Sequence, residues 1–201
     1  MPAGNFAATL LLPRPGAALA SAQLSFVAAL AVDDALHLAL GPGSAVCAQI
    51  KWPNDNLLNG AKVSGILLES TGRGAQIDAL AVGIGVNLVA APEADQLEPG
   101  AMVATSLAAV SGLTITADEF LDLLAPAFDN WWHVHRREGF APIRDAWLSR
   151  AARIDKDITA RTGRETLTGR FEGIDDSGAM ILVTASARRI IAAADIHFGT
   201  A

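Results

Sequence analysis

Cysteine is almost absent from this sequence: Cys47 stands alone among 201 residues. One thiol can neither close an internal disulfide nor build a metal–thiolate cluster, which fits a reducing, cytoplasmic setting. Positive charge is scarce too. Lys and Arg number 15 against 21 Asp and Glu, for a formal net charge of −6, and no basic stripe or DNA-binding motif is visible, so nucleic acid is not an expected partner. Long apolar runs are also lacking. Phe6–Leu12 has no basic region ahead of it and is broken by Pro13-Arg14-Pro15, which excludes a signal peptide. Leu24–Val32 is too short to cross a bilayer, so no membrane partner is expected.

What is present is apolar in small pieces. Hydrophobic residues make up 51% of the chain, enough to bury one sizeable core with a small appendage. Gly4–Leu12 reads as a buried strand ended by a Pro-Arg-Pro-Gly turn. Ala17 to Leu40 reads as one mostly buried helix stopped by Gly41-Pro42-Gly43, with Asp33 and Asp34 on its wet face. Val46 to Trp52 is a strand entering the turn at Pro53. Val63–Ser70 and Ile77–Leu88 form an antiparallel hairpin through Thr71-Gly72-Arg73-Gly74, and their lack of alternation predicts burial on both faces. Ala91–Gly100 is an acidic loop.

Thr116 and Glu119 have capping-box spacing ahead of a helix that Pro126 should kink or split. A further helix near Pro142 buries Ile143, Ala146 and Trp147. From about Ile154 the texture turns to short strands with turns at Thr162-Gly163 and Asp175-Asp176-Ser177-Gly178. His133 and His135 are two apart on a helix, the wrong spacing for shared metal ligation, so no metal site is expected there and both are assigned to the surface. Trp131 and Trp132 are assigned to core and rim packing.

The chemistry-bearing stretch is Lys51-Trp52-Pro53-Asn54-Asp55, then Lys62, then Val63-Ser64-Gly65-Ile66-Leu67-Leu68-Glu69. Two readings are open from the residues alone. The lysines are solvated strand-end charges flanking an ordinary turn, or they are cations arranged for an anionic substrate beside a strand whose interior glycine admits a ligand. A second segment, Gly83-Ile84-Gly85-Val86-Asn87, is not a dinucleotide fingerprint, because a proline-containing acidic loop follows it in place of a helix.

Lys51–Glu69 resembles, nearly position by position, the signature of biotin–protein ligases, and Gly83–Asn87 resembles the Gly-x-Gly-x-Asn strand of that family. Gly4-Asn5-Phe6 is similar to the Gly-Asn-Leu that opens one of its core strands, and the segment from Ile154 looks like its small SH3-like domain. The resemblance implies an α/β (α+β) fold: a mixed sheet flanked by helices, a class II synthetase-like biotin/lipoate ligase core over residues 1–151, and an SH3-like β domain over residues 152–201.

It also implies a reaction. Biotin and ATP, with Mg²⁺, give biotinyl-adenylate and pyrophosphate, and the biotinyl group then passes to a lysine of the biotin carboxyl carrier domain of acetyl-CoA carboxylase or a related carboxylase. By that resemblance Lys62 and Asp55 are catalytic: Lys62 meets the biotin carboxylate and the α-phosphate, and Asp55 orients or deprotonates the acceptor lysine. Lys62, Gly65 and Ile66 contact biotin, while Lys51, Asn54, Gly85 and Asn87 contact ATP or the adenylate, Asn87 at adenine. For Asn54, turn formation is an equal alternative. A homodimer is a further expectation.

The sequence departs from the family upstream of Gly4, where a Gly-Arg-Gly-Arg-Arg-Gly-Arg-like loop, preceded by a biotin-contacting strand and helix, is not seen. The expectation is that Met1 is an internal methionine or the gene is truncated, and that activity is impaired. A non-catalytic biotin- or adenylate-binding module, and a relative of lipoate–protein ligases, are the alternative readings.

Overall fold

The computed structural model describes residues 3–73, 76–93 and 101–198. Gly74 of the expected hairpin turn, residues 94–100 of the expected acidic loop, and Met1 lie outside the described residues.

The core is a five-stranded sheet of β1 (Phe6–Ala17), β2 (Ala48–Lys51), β3 (Asp55–Leu58), β4 (Ala61–Arg73) and β5 (Gln76–Val86), in the order β1-β5-β4-β3-β2. Helices α1 (Ala18–Ala22), α2 (Leu24–Leu40), α3 (Leu107–Ser111), α4 (Ala117–Glu138) and α5 (Phe140–Arg150) accompany it. A second sheet follows, built from β6 (Asp157–Arg161), β7 (Thr166–Ile174), β8 (Met180–Val183), β9 (Arg188–Ile191) and β10 (Asp195–His197), ordered β10-β6-β7-β8-β9. The expected mixed sheet has only antiparallel ladders among the described strands. Parallel geometry enters as isolated bridges at Ile50–Ala151 and Lys62–Ala104.

Helix α2 is apolar nearly all round, and such a helix must be covered on every side. Phe26 through Asp33, Ala35 and Leu36 are buried where it packs on α4, α5 and the sheet. The stretch Ala18–Leu40 is long and apolar enough to cross a membrane, but 72% of its most apolar window is buried inside this fold. The expected single helix is interrupted at Gln23.

Asp33 corrects the wet-face expectation. It is 1% exposed, and its Oδ2 accepts from Arg150 Nη1 of α5 at 3.0 Å, while Asp34 takes Arg150 at 2.6 Å and the Trp131 indole N–H at 2.6 Å. Both carboxylates thus turn toward neighbouring helices, where a charge survives because it is paired. His135 is likewise no surface residue: it is half-buried, contacts Gln23 Oε1 at 3.1 Å, and has its pKa lowered by burial. His133 is exposed, as expected.

Helix α4 runs unbroken through Pro126, held at its start by the Thr116–Glu119 capping box. Strand β1 neither stops at Pro13 nor is the buried strand expected, since Ala7 through Leu11 are exposed. As an edge strand it tolerates missing N–H donors, and it resumes through a register shift between Pro13 and Gly16.

The two units are tied by the turn at Gly178. Its φ is +88°, and a Cβ there would meet the Phe26 ring at 2.7 Å, so glycine alone lets this turn lie on α2. The same Gly178 carbonyl accepts the Trp52 indole N–H at 2.9 Å. Arg144 Nε adds a bond to the Ile174 carbonyl at 2.9 Å.

Candidate active site

Strand pairing builds the site by bringing distant residues into one row. Lys51 faces Asp55 across the β2–β3 ladder, Asp55 faces Gly65 across β3–β4, and Gly65 faces Gly85 across β4–β5. One row over, Leu67 faces Gly83. Because side chains alternate along a strand, residues two apart share a face. The charged end of this face is therefore Lys51 and Asp55, and its floor is glycine.

The expected burial of the hairpin on both faces is replaced by a sharper arrangement. Along β5, Leu80, Val82, Ile84 and Val86 point into the core, while Ala81, Gly83 and Gly85 between them are half-buried. Alternation was invisible in the sequence because the outer face is small and apolar where a solvated strand would be polar. On β4 Leu67 is already 61% exposed, and from Glu69 to Arg73 both faces open to solvent.

A cavity of about 530 Å³ stands over this floor, bordered by Lys51, Asn54, Asp55, Lys62, Gly65 and Gly85 among others. Asp55 is the hub. Its Oδ2 lies 3.3 Å from Lys51 Nζ and its Oδ1 lies 2.6 Å from Lys62 Nζ, with side-chain exposures of 7% for Lys51, 9% for Asp55 and 40% for Lys62. Two cations against one carboxylate leave a net positive cluster, with Lys62 the member that reaches open space. A Cβ on Gly65 would stand 3.4 Å from Lys62 Nζ and 3.6 Å from Asp55 Oδ1, so glycine keeps room for that contact.

Lys62 is fixed by its backbone on the other side. Its N–H donates to the Val103 carbonyl at 2.9 Å, and its carbonyl accepts from Thr105 at 2.8 Å. Asn87 belongs to this scaffold: its side-chain amide donates to the Thr105 carbonyl at 3.0 Å, its carbonyl oxygen lies 3.4 Å from Asn5 Nδ2, and it does not border the cavity. Asn54 borders the cavity while donating to the Ile66 carbonyl at 2.5 Å, a bond that ties the turn to β4. Ile66 touches the cavity margin, but its side chain is 3% exposed and packed in the core.

The cavity's other wall was not foreseen. Asp195 and Ile196 come from β10 of the second sheet and Ala194 directly precedes it, and the Phe198 ring centre lies 6.0 Å from Lys51 Nζ. No local pattern marks these residues, since only the docking of the two units brings them to the site. A second omission was legible: Asn59-Gly60, with φ of 50° and 80°, is the two-residue turn that makes Asp55–Leu58 a strand and swings Lys62 back over Asp55.

A glycine-floored cavity edged by a Lys–Asp–Lys cluster, at the junction of an α+β core and a small β unit, defines a site for an anionic ligand. Residues 3–149 match the profile of the biotin/lipoate A/B protein ligase family, and residues 154–199 match that of the biotin protein ligase C terminal domain. The chain belongs to the biotin protein ligase family.

It is 58% identical over 199 residues to a biotin–[acetyl-CoA-carboxylase] ligase of Paracoccus denitrificans, covering 99% of this chain and 82% of that protein. It is 34% identical to the bifunctional ligase/repressor BirA of Bacillus subtilis, covering 98% of this chain and 59% of that one. The crystal structure of biotin protein ligase from Aquifex aeolicus shares the fold at a TM-score of 0.81 and 23% identity, over 98% of this chain and 83% of that one. With the family comes the activity class, the ligation of biotin to protein.

Proposed function

We propose that this chain activates biotin with ATP in the Lys51–Asp55–Lys62 cavity and passes the biotinyl group to a lysine of a carboxylase carrier domain. The observation that carries the reading is the net positive Lys–Asp–Lys cluster at the edge of a glycine floor. Joining a carboxylate to an α-phosphate presses two anions together, and preorganised cations in a partly dry site lower that barrier. Lys62, the half-exposed cation, meets the reacting carboxylate and phosphate. Lys51, nearly buried, supports the phosphate side.

Asp55 holds the two lysines in place and, through the lone pairs they leave free, orients or deprotonates the acceptor lysine. Gly65 and Gly85 let ligand lie close on the strands, biotin over Gly65 and the adenylate over Gly85. Ile66 meets biotin through the strand margin it shares with Gly65. Asn87 acts near adenine by fixing the Thr105 segment that braces Lys62, and Asn54 shapes the turn beneath the nucleotide.

Mg²⁺ enters this reading as the counter-ion of ATP. No group of three or more His, Cys, Asp or Glu gathers for a metal among the described residues, and Asp55 is committed to lysines, so the donor set does not fit a protein-built Mg²⁺ seat. Charge neutralisation by this chain rests on Lys51 and Lys62. A cytoplasmic setting, supported by the single exposed Cys47, and a homodimer complete the proposal.

The test is biotin transfer to a purified biotin carboxyl carrier domain with ATP and Mg²⁺. Biotinylation of the carrier lysine with release of pyrophosphate is the expected result. Biotin or ATP binding with no transfer identifies a binding module, and transfer of lipoate in preference to biotin moves the chain to the lipoate branch.

A further inference from the structure

Asn87 holds the backbone around Lys62 at two points. Its side-chain amide donates to the Thr105 carbonyl at 3.0 Å, and Thr105 N–H donates to the Lys62 carbonyl at 2.8 Å. Its own backbone N–H donates to the carbonyl of the next residue, Val63, at 2.8 Å. Behind Asn87 stands Asn5, a half-buried residue just ahead of β1 that does not border the cavity.

A side-chain amide can point either way, but here the main chain dictates both. Asn5 Oδ1 accepts from the N–H groups of Val89 and Ala90 at 2.9 and 3.2 Å, and those groups only donate. Asn5 Nδ2 donates to the Ala90 carbonyl at 2.7 Å, which only accepts. The amino end of Asn5 is therefore the one that faces Asn87, 3.4 Å from its Oδ1. At that length the bond is weak, and its weight lies in its polarity: it leaves the Asn87 amino group for the Thr105 carbonyl, again an acceptor. With either amide reversed, two donors or two acceptors oppose each other. The order runs from Asn5 through Asn87 and Thr105 to Lys62.

We propose that Asn5 is a positioning residue for biotin activation: it fixes which way the Asn87 amide points, and through Thr105 it fixes where Lys62 stands. This rests on the ligase reading. The Lys62 side chain is 40% exposed and meets Asp55 only at its tip, so the path of its backbone sets the reach of its ammonium into the cavity. A cation that stabilises developing charge acts only from a place fixed in advance, and a network whose two ends are set by main chain has one arrangement.

The experiment follows biotin-dependent pyrophosphate exchange in the 201-residue chain and in a double-mutant cycle of Asn5→Ala and Asn87→Ala. Asn5→Ala is expected to lower kcat roughly tenfold with the KM for biotin unchanged, and to cause no further loss of kcat in the Asn87→Ala background, because a residue that acts through another has nothing left to act on. Asn5→Asp keeps an acceptor for the Val89 and Ala90 N–H groups and loses the donor to Asn87, so it is expected to lower kcat as the alanine does. Losses that multiply in the double variant overturn the proposal, since they mark an independent structural role. So does wild-type kcat in Asn5→Asp, or an effect confined to KM. A wild-type chain with no biotin-dependent exchange sinks the ligase reading itself, and this inference with it.

Discussion

Among the described residues, two clusters hold a nearly buried aspartate against basic side chains, and they differ in what surrounds them. Asp55 sits between Lys51 and Lys62 at the edge of a cavity, with Gly65 leaving space beside the contact. Asp33 sits between Arg150 and His37 inside a helical seam, beside Asp34 and Trp131, and its Oδ1 is buried without a hydrogen-bond partner. Burial, the largest cause, pushes the pKa of Asp33 up. The raised pKa marks the helical seam as a buried place. Open volume, an exposed cation and a glycine floor choose the sheet, and these are the features a substrate needs. A buried charge pair by itself reports packing.

The comparison breaks most visibly at the lysine. Lys62→Ala is expected to lower biotin-dependent pyrophosphate exchange by roughly 100- to 1,000-fold, with little change in unfolding midpoint because the side chain is 40% exposed. Undiminished exchange would remove Lys62 from the reaction. Arg150→Ala is the mirror image. It strands Asp33 in the seam and removes the cation lying 5.6 Å from the Trp131 ring centre, so urea denaturation should show a loss of about 3 kcal/mol. Adenylate formation by the folded fraction should be unchanged; a variant of full stability but poor exchange would erase the distinction between the clusters.

Legibility followed the range of the interactions. The Lys51–Glu69 motif and Gly83–Asn87 were readable because a strand, a turn and a returning strand are local events. The capping box at Thr116 was readable for the same reason. Pro126 misled because α4 is held by tertiary burial of Phe120, Leu124 and Phe128 more than by its backbone ladder. Asp33, Asp34 and His135 were misplaced because their partners Arg150, Trp131 and Gln23 lie about a hundred residues away in sequence. The β10 wall stayed hidden because long-range docking of the second unit, through contacts such as Trp52 to Gly178 and Arg144 to Ile174, carries it to the cavity.

The smallest expected effect sharpens the comparison through pH. The folded-state pKa of Asp33 lies above the model-compound value of 3.8, so the native state holds this proton more tightly than the unfolded chain does. Stability from Asp33 is then fully present below that value and is lost as pH rises through the raised folded pKa. Glu119 and Asp175 run the other way, their lowered pKa values making their contributions fade as pH falls. Wild type alone would therefore show a blend. The difference between wild type and Asp33→Asn isolates the seam, because the other acids cancel. Urea denaturation across the acid range should show the asparagine variant gaining on wild type as pH rises from about 4 toward neutrality. A difference that stays flat means that Arg150 and His37 offset the burial in full, and Asp33 then adds nothing to the pH dependence of stability.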